Sequence, residues 1–128
     1  MNRAPTLDHL VVAISDWDRS NAFYRDVLGG ELVELPRGRL AYRFGKQQLN
    51  VYGPGSESSI LPADPVRVGN SDLCFAWPGP IADATRHLER HGVDIAEGPV
   101  ARQGARGDGT SIYFYDPDGS LLEFISYG

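Results

Sequence analysis

The sequence predicts an α+β fold made of two tandem modules, each running strand, helix, three strands. Three observations carry this prediction. The segment Leu7-Asp8-His9-Leu10-Val11-Val12 is echoed by Ser71-Asp72-Leu73-Cys74-Phe75-Ala76, and a helical run at 21–29 is echoed at 84–92. Each copy closes on an alternating strand, at 48–52 and 121–125. Between the copies, residues 54–70 are rich in Pro, Gly and Ser and have no periodicity, as a linker does. Module one is therefore 7–53 and module two 71–127, within one domain at 1–128. A repeat of about sixty residues is too long for a solenoid unit. Two modules that cannot each bury a full core are expected to pair face to face, with a pocket at the seam.

In chain order, the first predicted strand, residues 7–14, is apolar on both faces, as for a strand covered on one side and lining a core on the other. Ser15 and Asp16 are good N-caps, and Ser15 with Asp18 resembles a capping box. The helix pairs Phe23 with Val27 and Tyr24 with Leu28 at i, i+4, and Gly29 stops it. Strands follow at 31–35, 39–45 and 48–53, joined by turns at Pro36-Arg37-Gly38 and Gly45-Lys46-Gln47. The second helix opens after Pro78-Gly79-Pro80, presents Ile81, Ala84, Thr85 and Leu88 on one face, and stops at Gly92. The last strands are predicted at 94–96, near 100–102, at 110–115 and at 120–127. A Gly-rich loop at 103–109 and a sharp Asp116-Pro117-Asp118-Gly119 turn separate them.

Composition narrows the class. At 128 residues the chain buries roughly two thirds of its unfolded surface. Hydrophobic residues make up 41% and charged residues 23%, an ordinary globular balance. No apolar run approaches the ~20 residues of a membrane span. Met1-Asn2-Arg3-Ala4-Pro5 carry no apolar signal region, so the expected location is the cytoplasm. The net charge of −5 disfavours nucleic acid as a partner. Cys74, the single cysteine, rules out an intrachain disulfide, and its apolar strand predicts a buried, inert thiol.

A few residues could carry chemistry. Glu123 alternates with Leu121 and Ile125 in an apolar strand. A carboxylate there is ion-paired, protonated, on a solvated face, or bound to a metal. His9 alternates with Leu7 and Val11 in the other module, and both a hydrogen-bonded core histidine and a ligand fit it. If the modules pair, His9 and Glu123 face one cavity. Gln48, Asn50 and Tyr52 form a polar row, either a solvent face or a cavity wall. His87 and His91 sit at i, i+4, but Glu89 comes one place late for the zinc-protease motif. Gly104, Gly107 and Gly109 lack the Rossmann order. The loop at 103–109 reads either as a mobile flap, with Arg102 and Arg106 able to grip an anion, or as ordinary solvated chain.

Taken with the repeat, three stretches resemble the vicinal oxygen chelate superfamily, which includes glyoxalase I, extradiol dioxygenases, and fosfomycin- and bleomycin-resistance proteins. They are Leu7-Asp8-His9-Leu10-Val11-Val12, the segment from Phe23-Tyr24 to Leu28-Gly29, and Asp116-Pro117-Asp118-Gly119-Ser120-Leu121-Leu122-Glu123. Finer features are similar to a glyoxalase-like subgroup that includes enterobacterial virulence-associated proteins: the run from Phe44 to Val51, Ser71-Asp72-Leu73-Cys74-Phe75, and the run from Gly98 to Ala105. The resemblance implies two βαβββ modules paired into an open eight-stranded barrel-like sheet around a divalent metal, and a homodimer. It carries metal ligands onto His9 and Glu123. The acidic ligand of the first module falls on Asn50, the histidine that opens the second on Leu73, and a further subgroup histidine on Tyr52.

Two functions follow as expectations. In the first, a divalent metal (Zn, Ni, Mn or Fe) on His9, Glu123 and Tyr52 binds two neighbouring oxygens of a small substrate, for lyase, isomerase or dioxygenase chemistry like that of lactoylglutathione lyase or the dioxygenases. Glu123 is the catalytic candidate, as ligand or general base. Asn50, Tyr52, Arg43, Arg102, Arg106 and Tyr113 are the substrate-binding candidates, with Arg39 as a further anion grip. In the second, the protein only binds or sequesters a small molecule, as bleomycin-resistance proteins do, in a cavity lined by Tyr42, Tyr52, Phe75, Tyr113 and Tyr115.

Overall fold

A computed structural model describes residues 4–128. Residues 1–3, part of the segment expected to lack an apolar leader, lie outside the described residues. The elements run β1 (Leu10–Ala13), α1 (Trp17–Asp26), β2 (Glu31–Leu35), β3 (Arg39–Phe44), β4 (Gln47–Tyr52), β5 (Asp72–Ala76), α2 (Ile81–Arg90), β6 (Glu97–Gly104), β7 (Gly107–Tyr115) and β8 (Leu121–Ser126). The eight strands form two four-stranded sheets, ordered β1-β4-β3-β2 and β5-β8-β7-β6. In each sheet the first strand pairs parallel with the fourth and the rest are antiparallel. This is the predicted βαβββ unit used twice. Among the described residues no ladder joins the sheets, so β1 and β5 remain edge strands. No helix of the described residues is long and apolar enough to cross a membrane.

Local chemistry explains the boundaries, including where they depart from expectation. β1 begins at Leu10 rather than Leu7, because its parallel pairing with β4 starts at Leu10 opposite Leu49. His9 therefore precedes the strand. Asp16 alone caps α1, accepting the Arg19 N–H at 2.8 Å, while Ser15 is drawn away to Asp118 of the other module. Gly29 does end α1, with φ of 75°. The strand predicted at 94–96 does not form, and the one predicted near 100–102 lies within β6, which starts at Glu97 and has an irregularity between Glu97 and Val100. The predicted loop at 103–109 is a hairpin whose ladder runs on to Gly104 opposite Gly107. Sequence alone misread it because glycine and charge are read as loop, whereas pairing with β7 had already fixed this backbone.

Two cores interlock through the helices. On the first sheet, Val12, Tyr42, Leu49 and Val51 pack on Tyr24 of α1, with Leu73 and Phe75 of β5 against them. On the second, Ile112, Phe114, Leu122 and Phe124 pack on Ala84 and Leu88 of α2 and on Val27 at the end of α1. Each sheet thus turns one face towards the helices. The opposite faces carry Val11, Asn50 and Ala41 in one row of the first sheet, and Cys74, Glu123, Tyr113 and Glu97 in one row of the second.

Polar ties join the modules. The Tyr24 hydroxyl donates to Asp116 Oδ2 at 2.8 Å, and burial together with the Asp116 charge holds this phenol far above its usual range. Tyr24 stacks on Tyr42 at 4.5 Å between centroids, and the Tyr42 hydroxyl donates to Asn21 Oδ1 at 2.7 Å. Tyr42 is 1% exposed, so it belongs to the core and not to a ligand cavity. Tyr24→Phe leaves one oxygen of the buried Asp116 carboxylate without its protein donor. We expect a loss of about 1–3 kcal/mol in urea unfolding, with m unchanged. A loss below about 0.5 kcal/mol would show the tie to be energetically idle.

The pairing also corrects the repeat. Leu10 faces Leu49 as Leu73 faces Leu122, and Ile14 N–H bonds Tyr52 O as Trp77 N–H bonds Ile125 O, both near 2.9 Å. Leu10 is thus equivalent to Leu73, and the position equivalent to His9 is Asp72, not Leu73. Both strands are apolar on either side of the slip, so hydrophobic pattern could not fix the register. A side chain unable to bind metal is replaced at this position by a carboxylate. By the same pairing, Asn50 and Glu123 are equivalent.

Candidate functional site

An open cavity of about 910 Å³ crosses both modules. Residues 7–10, Gln48, Cys74, Glu123, Ile125 and the β6–β7 hairpin tip at 103–106 line it, as do Phe44, Phe75 and Trp77. The two residues singled out at opposite ends of the chain, His9 and Glu123, therefore line one cavity. His9 reaches it from the residues leading into β1, and Glu123 from β8, where it pairs with Cys74 of β5.

Glu123 is half-buried and held firmly. Ser111, fully buried on β7, donates its hydroxyl to Glu123 Oε2 at 2.5 Å. Cys74 lies directly opposite on β5. It is exposed, against the expectation of a buried thiol, because this face of the sheet lies away from the helices. Desolvation first, then the charge and hydrogen bond of Glu123, push its thiol up to about 12. Cys74 is therefore expected to react with iodoacetamide at pH 8 at least about a hundredfold more slowly than a free cysteine, since only the thiolate is nucleophilic. Glu123→Gln should accelerate it. Alkylation at the free-cysteine rate, followed by mass spectrometry, would refute this account of the Cys74–Glu123 contact.

His9 is partly exposed at the cavity edge, its Nδ1–H donating to Asp8 Oδ1 at 2.9 Å. That leaves Nε2 free to act as acceptor or ligand. Gln48 lines the cavity and bridges two of the candidates: it accepts from Arg43 at 2.8 Å and donates to Asn50 Oδ1 at 2.8 Å. Asn50 and Tyr52 are half-buried further along β4, outside the cavity lining. Arg43 is thus tied to an amide rather than poised for a ligand. Arg102 is likewise engaged, donating to Glu97 and to the Tyr113 hydroxyl, both at 2.9 Å. Neither Arg102 nor Tyr113 lines the cavity. Arg39 donates to Pro36 O at 3.2 Å. Of the arginine candidates, the structure brings only Arg106 to the cavity wall.

Cys74 and Ser111 were not foreseen as site residues, nor was Asp72 as the counterpart of His9, whereas Gln48 was expected as part of a polar row able to wall a cavity. The register corrected above would have indicated Asp72, and strand alternation from Glu123 would have indicated Ser111. The His87/His91 pair is occupied elsewhere: His87 Nε2–H donates to Val27 O at 2.6 Å, and His91 Nδ1–H to His87 O at 2.9 Å.

The donor chemistry of His9, Asp72 and Glu123 suits a divalent cation, combining an imidazole with carboxylates. Within a single chain, however, no three His, Cys, Asp or Glu side chains of the described residues gather closely enough to hold one. Asn50 supplies only a neutral carbonyl oxygen, and Tyr52 a phenol.

A family model described as Glyoxalase/Bleomycin resistance protein/Dioxygenase superfamily matches residues 6–61. The glyoxalase domain-containing protein RDO1 of Mycosarcoma maydis is 43% identical over 122 residues, 95% of this chain and 68% of its own length. An integron cassette protein from the mobile metagenome of V. cholerae has a structure with TM-score 0.91 and 43% identity, covering 100% of this chain and 99% of that one. The virulence protein STM3117 of Salmonella typhimurium gives TM-score 0.90 and 38% identity, with 98% of both chains covered. A metallothiol transferase, FosB of Staphylococcus haemolyticus, is 26% identical over 118 residues, 91% of this chain and 80% of its own.

Proposed function

Because the chain belongs to the glyoxalase/bleomycin resistance protein/dioxygenase superfamily, we propose that it is a metal-dependent enzyme acting on a small substrate with two neighbouring oxygens. The lining of one cavity by both His9 and Glu123 is the observation that carries this reading. We place the divalent ion on His9 and Glu123; Asp72, Asn50 and Tyr52 of the same chain lie outside the cavity these two line. When bound, the ion supplies Lewis acidity to the substrate's oxygens. Glu123, oriented by Ser111, is the group able to take or hold a proton beside them. Gln48, held between Arg43 and Asn50, is the polar group of the cavity wall that orients the substrate, and the apolar wall of Phe44, Phe75 and Trp77 excludes water. Lyase, isomerase and dioxygenase chemistry all fit this set.

The missing third donor within one chain points to a homodimer in which a second copy completes the site. Edge strands β1 and β5, and the exposed apolar residues Leu7 (78%), Leu10 (44%) and Val11 (43%) beside His9, support this association. The same missing donor favours a second reading, a metal-free binding protein of the bleomycin-resistance type. Location in the cytoplasm is proposed with either.

Elemental analysis of tag-free wild type after incubation with Mn²⁺, Fe²⁺, Ni²⁺ and Zn²⁺, beside His9→Ala and Glu123→Ala, separates the two. Near-stoichiometric metal in the wild type, lost in both variants, supports the enzyme. No uptake of any of the four ions overturns it and leaves the binding protein.

A further inference from the structure

One side chain fastens the tip of the β6–β7 hairpin to the chain just beyond β8. The Tyr127 phenol oxygen accepts the Arg106 backbone N–H at 3.3 Å, and the Arg106 guanidinium carbon sits 4.3 Å from the Tyr127 ring centre. The backbone makes room for this. At Gly104 a Cβ would collide with the phenol oxygen, and at Gly109 it would come within 2.8 Å of Ser126 O. The hairpin is thereby pressed onto Ile125, which is 4% exposed.

The tip and Tyr127 both line the cavity that His9 and Glu123 share. Arg106 is the one arginine or lysine in that lining, and among the described residues it forms no ion pair with a carboxylate. Arg102, four residues earlier, differs in being neutralised by Glu97. A guanidinium stacked by its face on an aromatic ring keeps its edge N–H groups available, and those edges match the paired oxygens of an oxyanion. Stacking also orders a side chain that is otherwise costly to immobilise, so less freedom is lost on binding.

We propose that Arg106 selects ligands carrying an oxyanion, a carboxylate or a phosphonate, and that Tyr127 is the positioning residue that holds the hairpin and its guanidinium at the cavity. The inference rests on the cavity being a ligand site but not on a metal being present. It narrows the substrate to an acidic small molecule. It also separates two roles on β8 and its extension: Glu123 in the chemistry, Tyr127 in recognition.

The test uses metal-free protein titrated with methylphosphonate, with acetate as the carboxylate arm and acetamide as the neutral control, followed through the amide shifts of residues 103–106. The expected result is that one or both anions bind and acetamide does not. The anion that binds more tightly names the ligand class. Arg106→Gln should weaken binding about tenfold, the loss of a charge-assisted contact. Arg106→Lys should not restore it. Tyr127→Ala should weaken binding to a similar degree and speed amide exchange within the hairpin alone. Tyr127→Phe, which keeps the stacked ring, should weaken binding less.

Failure of the wild type to bind either anion, unchanged binding in Arg106→Gln, or unchanged hairpin exchange and affinity in Tyr127→Ala would each overturn the proposal. These readouts need no metal. A negative result here with normal metal uptake sinks only this inference, and metal uptake failing with anion binding intact sinks only the enzyme.

Discussion

Asp116→Ala is expected to destabilise the protein by about 3–5 kcal/mol, among the largest effects of any single substitution. Asp116 is 5% exposed and accepts three hydrogen bonds: from Tyr24 across the module boundary, and from the Asp118 and Ser120 N–H groups at 2.9 Å each. Alanine removes both acceptor oxygens and so all three bonds at once, leaving a buried phenol and two turn amides unpaired. It also loosens the turn that places Asp118 against Ser15 and β8 against β7. Asp116→Asn keeps the shape and one acceptor oxygen and should cost substantially less. Chemical unfolding of Asp116→Ala, Tyr24→Phe and the double variant checks the assignment. The two losses should be strongly non-additive, because they break one shared contact. Simple additivity would mean the inter-module bond contributes little and that Asp116 serves the turn alone.

The second large effect concerns the proposed metal site. If His9 of one copy and Glu123 of the other build each site, His9→Ala and Glu123→Ala homodimers should each lose nearly all bound metal. Unfolding and refolding the two variants together should then restore about a quarter of the wild-type content. Half of the dimers would be mixed, and each mixed dimer would hold one intact site of two. If both ligands come from a single chain, mixing restores nothing. Inductively coupled plasma measurement on the refolded dimer reads the difference directly. A wild-type protein that stays monomeric in sedimentation equilibrium removes the shared site altogether.

Much of the architecture was legible because it is written in local terms. The twofold βαβββ pattern, the turns at Pro36-Arg37-Gly38 and Asp116-Pro117-Asp118-Gly119, and the Asp16 and Gly29 helix ends follow from periodicity, capping and backbone preference. Leu122 and Phe124 on the core side of β8, with Glu123 opposite, follow from strand alternation. These are properties of a residue and its near neighbours, so the chain states them without its fold.

What only tertiary structure decided is what depends on partners distant in sequence. The register that makes Asp72, not Leu73, the counterpart of His9 is set by pairing with β8, some fifty residues downstream. The hairpin at 103–109 exists because β7 supplies the ladder that its glycines do not encourage. Cys74 is exposed because the helices cover only the other face of its sheet. Arg43 and Arg102 are withdrawn from binding by Gln48 and Glu97, partners that no local pattern announces. The sequence by itself determined which groups the molecule possesses and the faces on which they alternate. Which of them meet was decided by long-range pairing and burial, because contact energy depends on distance in space and not on distance along the chain.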